Sequence, residues 1–259
     1  MSDDVLTIEQ LDDEIVVLTL NRPERRNALS IGLMDALCQT LEAFAAQEQF
    51  RVVILCGAGA AFCAGLDLNE AAEAELAERS AMCVARTFQT LSDYPQLTIA
   101  AVHGAAYAGG AGLMACCDFI IAADDLKVCF PEVRRGLVPA LATVALGSRM
   151  RDGDRRELLL LAEPIDARRA LDMGLVDRVV PADRLMTAVK ETATTVLKGA
   201  PHAVQLTKRL LKELAPVDRH HQFARALEIH SRARHGDEAR EGLAAFHERR
   251  DPNWTLGTE

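Results

Sequence analysis

The chain has 259 residues, of which 49% are hydrophobic and 26% charged, and its formal net charge is -9. This composition is typical of a globular protein and excludes a disordered or fibrous one, and the length allows a large buried core and a second lobe. The negative charge argues against nucleic acid as a partner, because binding to phosphates depends on clustered Lys and Arg.

The N-terminal stretch MSDDVLTIEQLDDE is acidic and lacks the apolar segment of a secretion signal, and no stretch approaches 18 uninterrupted apolar residues. We therefore expect a cytoplasmic protein with no membrane partner. The seven cysteines lie in apolar segments and contain no CxxC pair. This pattern is typical of reduced, buried thiols and predicts neither disulfides nor a metal site.

The first half of the chain repeats one unit, in which a strand is followed by a glycine-rich turn and a helix. Ser30 is placed to cap the first helix, and 21–28 is predicted to be a loop. The predicted strands are 6–9, 15–20, 51–56, 99–102, 119–122 and 127–130, and the predicted helices are 31–47, 71–91 and 113–117.

The second half is dominated by helical patterns. The predicted elements are helices at 138–149, 154–162 and 167–173, a strand at 176–180, and helices at 182–197, 201–214, 217–234 and 237–249. Strand patterns stop at residue 182, so we predict an α/β protein with a helical C-terminal lobe. Such a lobe more often packs or forms oligomers than carries catalysis.

Two glycine turns, CAGLD at 63–67 and AGGAG at 108–112, follow consecutive strands and are expected to open at the same end of a sheet. Backbone N–H groups from the two turns would then converge on one oxygen, which is the form of an oxyanion hole. The spacings GxxxxGK[ST] and GxGxxG are absent, so a phosphate site is not the first interpretation. The alternative is that these glycines only permit close packing of strand and helix.

Glu132 is the first candidate acid, because it follows an apolar strand and Pro131 in a part of the chain that otherwise looks buried. A carboxyl in apolar surroundings has a raised pKa that suits proton transfer. The alternative is a simple surface ion pair with Arg134 or Arg135 beside it.

Six segments in order carry a resemblance to a known family: NRPERRNAL, AFCAGLDL, VHGAAYAGGAGLMACCDFIIAADD, FPEVRRGLVP, IDARRALDMGLVDRVVP and EGLAAFHERRDP. Over nearly its whole length the chain resembles the enoyl-CoA hydratase/isomerase (crotonase) superfamily. The resemblance implies a ββα spiral core over 1–195 and a helical region over 196–259 that drives assembly into a homotrimer or a dimer of trimers. It also implies acyl-CoA substrates and no metal or redox cofactor, since CoA is part of the substrate.

The resemblance assigns roles by position. The oxyanion-hole amides fall on Leu66 and Gly109, and Glu132 matches the second of two catalytic glutamates. Ala64 corresponds to the backbone contact with the CoA adenine. The full set assigned to substrate and CoA binding is Arg26, Ala64, Asp67, Gly110, Phe246 and Arg249.

Gly112 stands where the family's first catalytic glutamate is expected, and this departure leaves the reaction open. Enoyl-CoA hydration is the leading hypothesis. The alternatives are a Δ3,Δ2-enoyl-CoA isomerase that uses Glu132 alone and a non-catalytic acyl-CoA-binding homologue. Asp67 and Glu70 are the nearest replacement acids, while Ala140 occupies the place of the acid expected in dienoyl-CoA isomerases.

Two further interpretations follow from the same segments. The run EVRRGLVPA with glycine at 112 is similar to a subgroup that includes methylglutaconyl-type hydratases. Esterase chemistry is disfavoured, because no GxSxG motif surrounds any serine.

Overall fold

The computed structural model describes residues 4–47, 50–72, 74–147, 149–213 and 219–254. Strands in these ranges form two sheets. Their bounds are β1 (Leu6–Gln10), β2 (Ile15–Leu20), β3 (Val52–Gly57), β4 (Leu97–Val102), β5 (Ala105–Tyr107), β6 (Phe119–Ala123), β7 (Lys127–Cys129), β8 (Ile165–Asp166) and β9 (Arg178–Val180).

Helices account for most of the remaining described residues. Their bounds are α1 (Ile31–Gln47), α2 (Leu68–Ala72), α3 (Ala74–Asp93), α4 (Gly109–Ala115), α5 (Ala140–Leu146), α6 (Asp152–Arg156), α7 (Ala167–Asp172), α8 (Leu185–Leu197), α9 (Pro201–Glu213), α10 (Arg219–Arg234) and α11 (Asp237–Glu248). Single 3-10 turns occupy Pro23–Arg25, Pro131–Arg135 and Ala182–Arg184, and a π-helical turn occupies Glu157–Leu161.

The larger sheet has the order β1-β2-β3-β4-β6-β9, in which only the β1–β2 pair is antiparallel. The smaller sheet has the order β5-β7-β8. The chain therefore passes from β4 in the large sheet to β5 in the small one and then into α4, and β6 and β7 repeat the step. This is the ββα spiral that the resemblance implied, so the predicted α/β fold class is confirmed.

Apolar residues on both faces of the large sheet are buried, as expected for parallel strands covered on two sides. Along β2, Val16, Leu18 and Leu20 belong to the main core, while Ile15 and Val17 point to a second core. The second core lies under α8, and the main core lies under α1, α3, α4 and α5. A helix at 182–197 was expected, and α8 crosses the predicted boundary between 195 and 196.

Several predicted bounds need correction. Helix α4 begins at Gly109 instead of residue 113, and the strands β5 and β8 were not predicted. Helix α5 is shorter than 138–149, because Pro139 is its N-cap and Gly147 its C-cap. The predicted helix at 154–162 is a short α-helix followed by a π-helical turn. Predicted positions 214, 217 and 218 lie outside the described residues.

The C-terminal helices close one side of the core. Helix α10 packs against α3 and α5, and α11 packs against the 131–135 turn. Within the described ranges, none of the helices combines the length and the apolarity that crossing a bilayer requires.

Candidate active site

The two predicted glycine turns lie side by side. The backbone N–H of Cys63 donates to the carbonyl of Ala105 at 3.0 Å, and the N–H of Tyr107 donates to the carbonyl of Cys63 at 2.9 Å. These two hydrogen bonds form a parallel β-bridge between Cys63 and Ala106, which holds the segment before Leu66 beside the segment before Gly109. The turns therefore open at the same edge, as the strand order predicted.

Backbone geometry at Gly65 and Ala108 requires unusual conformations. Gly65 has φ +95°, and a Cβ there would lie 2.9 Å from the carbonyl oxygen of Tyr107. Ala108 has φ 48° and ψ -123°, which is strained for a residue with a side chain. Its N–H donates to the carbonyl of Cys129 at 2.8 Å, which helps to hold this turn. Such strain is typical of functional turns that aim a backbone group.

The N–H groups of Leu66 and Gly109 have no acceptor among the described residues. A Cβ built on Gly109 would lie 3.8 Å from the Leu66 nitrogen and 3.9 Å from the Gly65 Cα. The space beside Gly109 is therefore also beside the Leu66 amide. An oxygen placed there would be within reach of two unpaired backbone donors, which is the arrangement of an oxyanion hole.

Glu132 lies in the 3-10 turn that follows β7, two residues after the fully buried Phe130. Its Oε2 is buried without a hydrogen-bond partner. Burial raises the pKa of this carboxyl from 4.5 to about 7, while a backbone hydrogen bond and the charge of Arg135 oppose the shift. The group is thus held near the pH at which it can both take and return a proton.

The surface ion pair considered for Glu132 is wrong. Arg134 instead pairs with Glu163. Among the described residues, Glu132 forms no ion pair with Arg134 or Arg135 within 4 Å.

A cavity of about 550 Å³ joins these groups. It is lined by Leu66, Gly109 and Glu132, and by the predicted binding residues Arg26, Ala64, Asp67 and Phe246. Two other predicted binding residues do not line it. A Cβ on Gly110 would lie 2.3 Å from the Cys63 carbonyl oxygen, so this glycine permits close packing, and Arg249 ends α11 in a left-handed conformation on the surface.

Neither replacement acid is free for chemistry. Asp67 pairs with Arg22 at 2.8 Å through Oδ2, and its Oδ1 accepts the N–H of Asn69 at 3.1 Å. Glu70 accepts the N–H of Ile31 at the start of α1, at 2.7 Å. Both carboxylates therefore join the loops around the cavity.

Gly112 faces an aromatic ring. A Cβ added at this position would lie 2.6 Å from two ring atoms of Phe88 and 3.4 Å from the Cβ of Ala142. Phe88 on α3 is fully buried and lines the cavity. The volume where the family's first glutamate would begin is therefore filled by an apolar side chain.

Cys63 is not a reactive thiol. Its Sγ donates to the carbonyl of Asn27 at 3.1 Å, and burial raises the pKa of the thiol to about 12. In the described part of the chain, no group of three or more His, Cys, Asp or Glu side chains is arranged to hold a metal ion.

Many residues that line the cavity were not predicted as site residues, among them Phe88, Arg135, His230 and Arg234. His230 and Arg234 are four residues apart on α10, so a shared helix face was visible in the sequence. Which way that face points depends on how the C-terminal helices pack, and no local pattern reports this.

Solved structures share this architecture. An enoyl-CoA hydratase from Mycobacterium avium superposes with a TM-score of 0.87 at 31% identity, covering 98% of this chain and 100% of that one. The class of fold that carries the two turns and Glu132 is therefore the crotonase fold.

The family model for enoyl-CoA hydratase/isomerase matches residues 10–257, and the chain belongs to this family. A Thermus thermophilus protein named "Putative enoyl-CoA hydratase" is 36% identical over 245 residues, which cover 93% of this chain and 97% of that protein. The 2,3-dehydroadipyl-CoA hydratase of Escherichia coli is 30% identical over 241 residues, covering 93% and 94%. An enoyl-CoA isomerase/hydratase of Mycosarcoma maydis is 32% identical over 254 residues, covering 92% and 91%.

Proposed function

We propose that the protein hydrates enoyl-CoA thioesters through an enolate, with Glu132 as the single acid and base. The observation that carries the proposal is a buried, unpartnered carboxyl in the same cavity as two unpaired backbone N–H groups. The hydratase names of the relatives in Thermus thermophilus and Escherichia coli support hydration as the leading reaction.

In the proposed reaction, the N–H groups of Leu66 and Gly109 hold the thioester oxygen. The Glu132 carboxylate takes a proton from water while the resulting hydroxide forms a bond to C3, and the electrons of the C2–C3 double bond move onto the thioester oxygen. Protonated Glu132 then gives the same proton to C2, and the carbonyl re-forms. One water is added across the double bond, and Glu132 returns to its starting state.

The pKa of about 7 supports this double role, because a carboxyl with that value exchanges protons readily in either direction near neutrality. The two N–H groups contribute only as negative charge develops on oxygen, so they stabilise the transition state more than the substrate. Each such donor is typically worth ~10²- to 10³-fold in rate.

Isomerisation is the second proposed reaction, and the Phe88 ring beside Gly112 favours it. At Gly112, where a second carboxylate would help to hold the water, the space is occupied by the Phe88 ring. With a 3-enoyl thioester, the Glu132 carboxylate would remove a C2 proton, the oxyanion hole would hold the dienolate, and the proton would return at C4. The name of the Mycosarcoma maydis relative covers both reactions.

A two-substrate assay tests the proposal. Crotonyl-CoA reports hydration and 3-hexenoyl-CoA reports isomerisation, each with the wild type, Glu132→Gln and the exposed-carboxylate control Glu238→Gln. We expect turnover of at least one substrate, a ~10²- to 10⁴-fold loss in Glu132→Gln and near wild-type rates in the control. Full activity of Glu132→Gln would disprove the proton carrier, and binding without turnover would favour the non-catalytic alternative.

We further propose that the protein works as a homotrimer or a dimer of trimers in the cytoplasm, with no cofactor besides the CoA of its substrate. Exposed leucines on α9, namely Leu206, Leu210 and Leu211, support burial in a partner interface. The free cysteines suit a reducing compartment. Light scattering coupled to size exclusion would give the mass, and a monomer at micromolar concentration would contradict the assembly.

A further inference from the structure

Three basic side chains, Arg135, His230 and Arg234, line the same cavity as Glu132. Arg135 belongs to the 3-10 turn of Glu132, three residues further on, where side chains lie nearly above one another. His230 and Arg234 share one face of α10. The charge of Arg135 acts on the Glu132 carboxyl, so this guanidinium lies on the Glu132 side of the cavity. The charge of Arg234 acts in turn on His230.

In the described part of the chain this basic group lacks a close acidic partner, and Glu132 acts on Arg135 through its charge from a longer distance. Among the ion pairs formed within the described ranges, none includes Arg135 or Arg234. The Arg135 guanidinium instead lies 4.4 Å from the centroid of the Phe246 ring, a cation–π contact. His230 Nε2 is buried without a hydrogen-bond partner.

Partial burial makes these groups ready for an anion. Burial lowers the pKa of both guanidinium groups. Burial and the charge of Arg234 lower the pKa of His230, while a hydrogen bond to the backbone of Val138 opposes this. Cations taken from water without a partner are unfavourable, and an entering anion would remove that cost. Arginine suits a carboxylate because the two groups form paired, charge-assisted hydrogen bonds.

We propose that Arg135, His230 and Arg234 form an anion subsite for the acyl chain, which selects thioesters whose acyl group ends in a second carboxylate. This inference rests on the proposed function, because it takes the Glu132 side of the cavity as the acyl side. The arginines bind the carboxylate oxygens, and the buried His230 Nε2 becomes a donor when the anion favours the protonated ring. The same oxyanion chemistry is offered by a phosphate of CoA, so the test separates the two sources.

Binding is measured with saturated thioesters, which need no turnover. Glutaryl-CoA and adipyl-CoA are compared by calorimetry with pentanoyl-CoA and hexanoyl-CoA, which match them in chain length. We expect the wild type to prefer at least one diacid thioester. It should bind that diacid about ten- to one-hundred-fold more tightly than the monoacid thioester of the same chain length. If each diacid thioester binds with the same affinity as the monoacid thioester of equal chain length, the proposal is overturned.

In the variant Arg234→Gln, the ratio of affinities between each diacid thioester and the monoacid thioester of equal chain length should fall close to one. Arg232→Gln, on the exposed side of the same helix, is the matched control and should keep the preference. If Arg234→Gln weakens all thioesters equally and no longer distinguishes CoA from dephospho-CoA thioesters, the subsite binds phosphate and the proposal is wrong. If Arg234→Gln does not fold, His230→Gln takes its place. Loss of the diacid preference alone supports the subsite, and equal weakening of all thioesters with loss of the CoA phosphate discrimination contradicts it.

Failure of this inference is distinguishable from failure of the proposed function. The calorimetric preference does not depend on proton transfer, whereas the Glu132→Gln assay does not depend on the acyl terminus. A protein that hydrates crotonyl-CoA through Glu132 but shows no diacid preference would retain its function and lose the subsite.

Discussion

Replacing Glu132 by Gln should remove a loss of stability that the wild type undergoes as the pH becomes alkaline, and under the proposed function it should also remove activity. The wild-type carboxyl has a pKa of about 7 in the folded chain, against 4.5 as its ordinary value, because it is buried. A raised pKa means that the fold prefers the protonated form. Ionisation of Glu132 is therefore linked to a loss of stability that a permanently neutral glutamine does not experience.

The sign and size follow from the two pKa values. Below pH 4.5 the carboxyl is protonated in both states, so the stability contribution is fully present. It is lost as pH rises from there through about 7, and the loss then levels off. At 1.36 kcal/mol per unit, the full loss is about 3 kcal/mol, of which about 2 to 3 kcal/mol develops between pH ~5 and ~8.

Urea unfolding followed by far-UV circular dichroism gives the free energy of unfolding of each protein. It is measured at pH ~5 and at pH ~8, at equal protein concentration. Any fixed cost of burying the glutamine amide cancels when the difference between variant and wild type is compared across pH. We expect that difference to grow by about 2 to 3 kcal/mol at the higher pH. Glu238→Gln, an exposed carboxylate on α11, is the control. A difference for Glu132→Gln that does not change with pH would refute the reasoning.

Three further results are expected. The wild-type kcat/KM should rise about tenfold per pH unit below about 7 and become flat above it, because the reaction starts with ionised Glu132. Gly109→Ala should fold normally, because its methyl group meets no atom closer than 3.4 Å. Its rate should fall ~10²-fold or more, because the methyl lies 3.8 Å from the Leu66 nitrogen, in the space proposed for the oxyanion. Gly112→Ala should cost ~1–3 kcal/mol in unfolding free energy through contact with Phe88, and Phe88→Leu should recover part of that cost.

Each of these has a contradicting outcome. A pH–rate profile that is flat across pH ~6 to ~8 would remove Glu132 as the titrating base. A folded and fully active Gly109→Ala would mean that the two amides do not hold the reacting oxygen. Additive unfolding free energies for Gly112→Ala and Phe88→Leu in a double-mutant cycle would show that the two positions are not in contact.

The parts of the site that depend on backbone order were predictable from the sequence. Consecutive parallel strands end at the same edge, so the turns that contain Leu66 and Gly109 were expected to meet, and they do. Glu132 was placed in the interior because apolar residues precede it. Its lack of an ion pair was not predictable, since the nearby Arg134 is drawn away by Glu163, which is distant in sequence.

Features that depend on packing between distant segments were missed. The strand β5 is only three residues long and lies among glycines, so its pattern looks like a turn. The Phe88 ring reaches Gly112 because α3 packs against α4, and His230 reaches the cavity because α10 packs against α5. Helical periodicity gives the residues that share a face, but the partner of that face is set by the tertiary structure.

The most direct test of the central claim is exchange of the C2 protons of a saturated thioester in deuterium oxide. Butyryl-CoA has no double bond to hydrate or isomerise, so exchange reports only enolate formation by the base and the oxyanion hole. We predict deuterium incorporation at C2 by the wild type, seen by mass spectrometry, and a loss of ~10²-fold or more in Glu132→Gln with butyryl-CoA binding retained. Undiminished exchange in that variant, or none in a wild-type enzyme that turns over enoyl-CoA, would contradict the account.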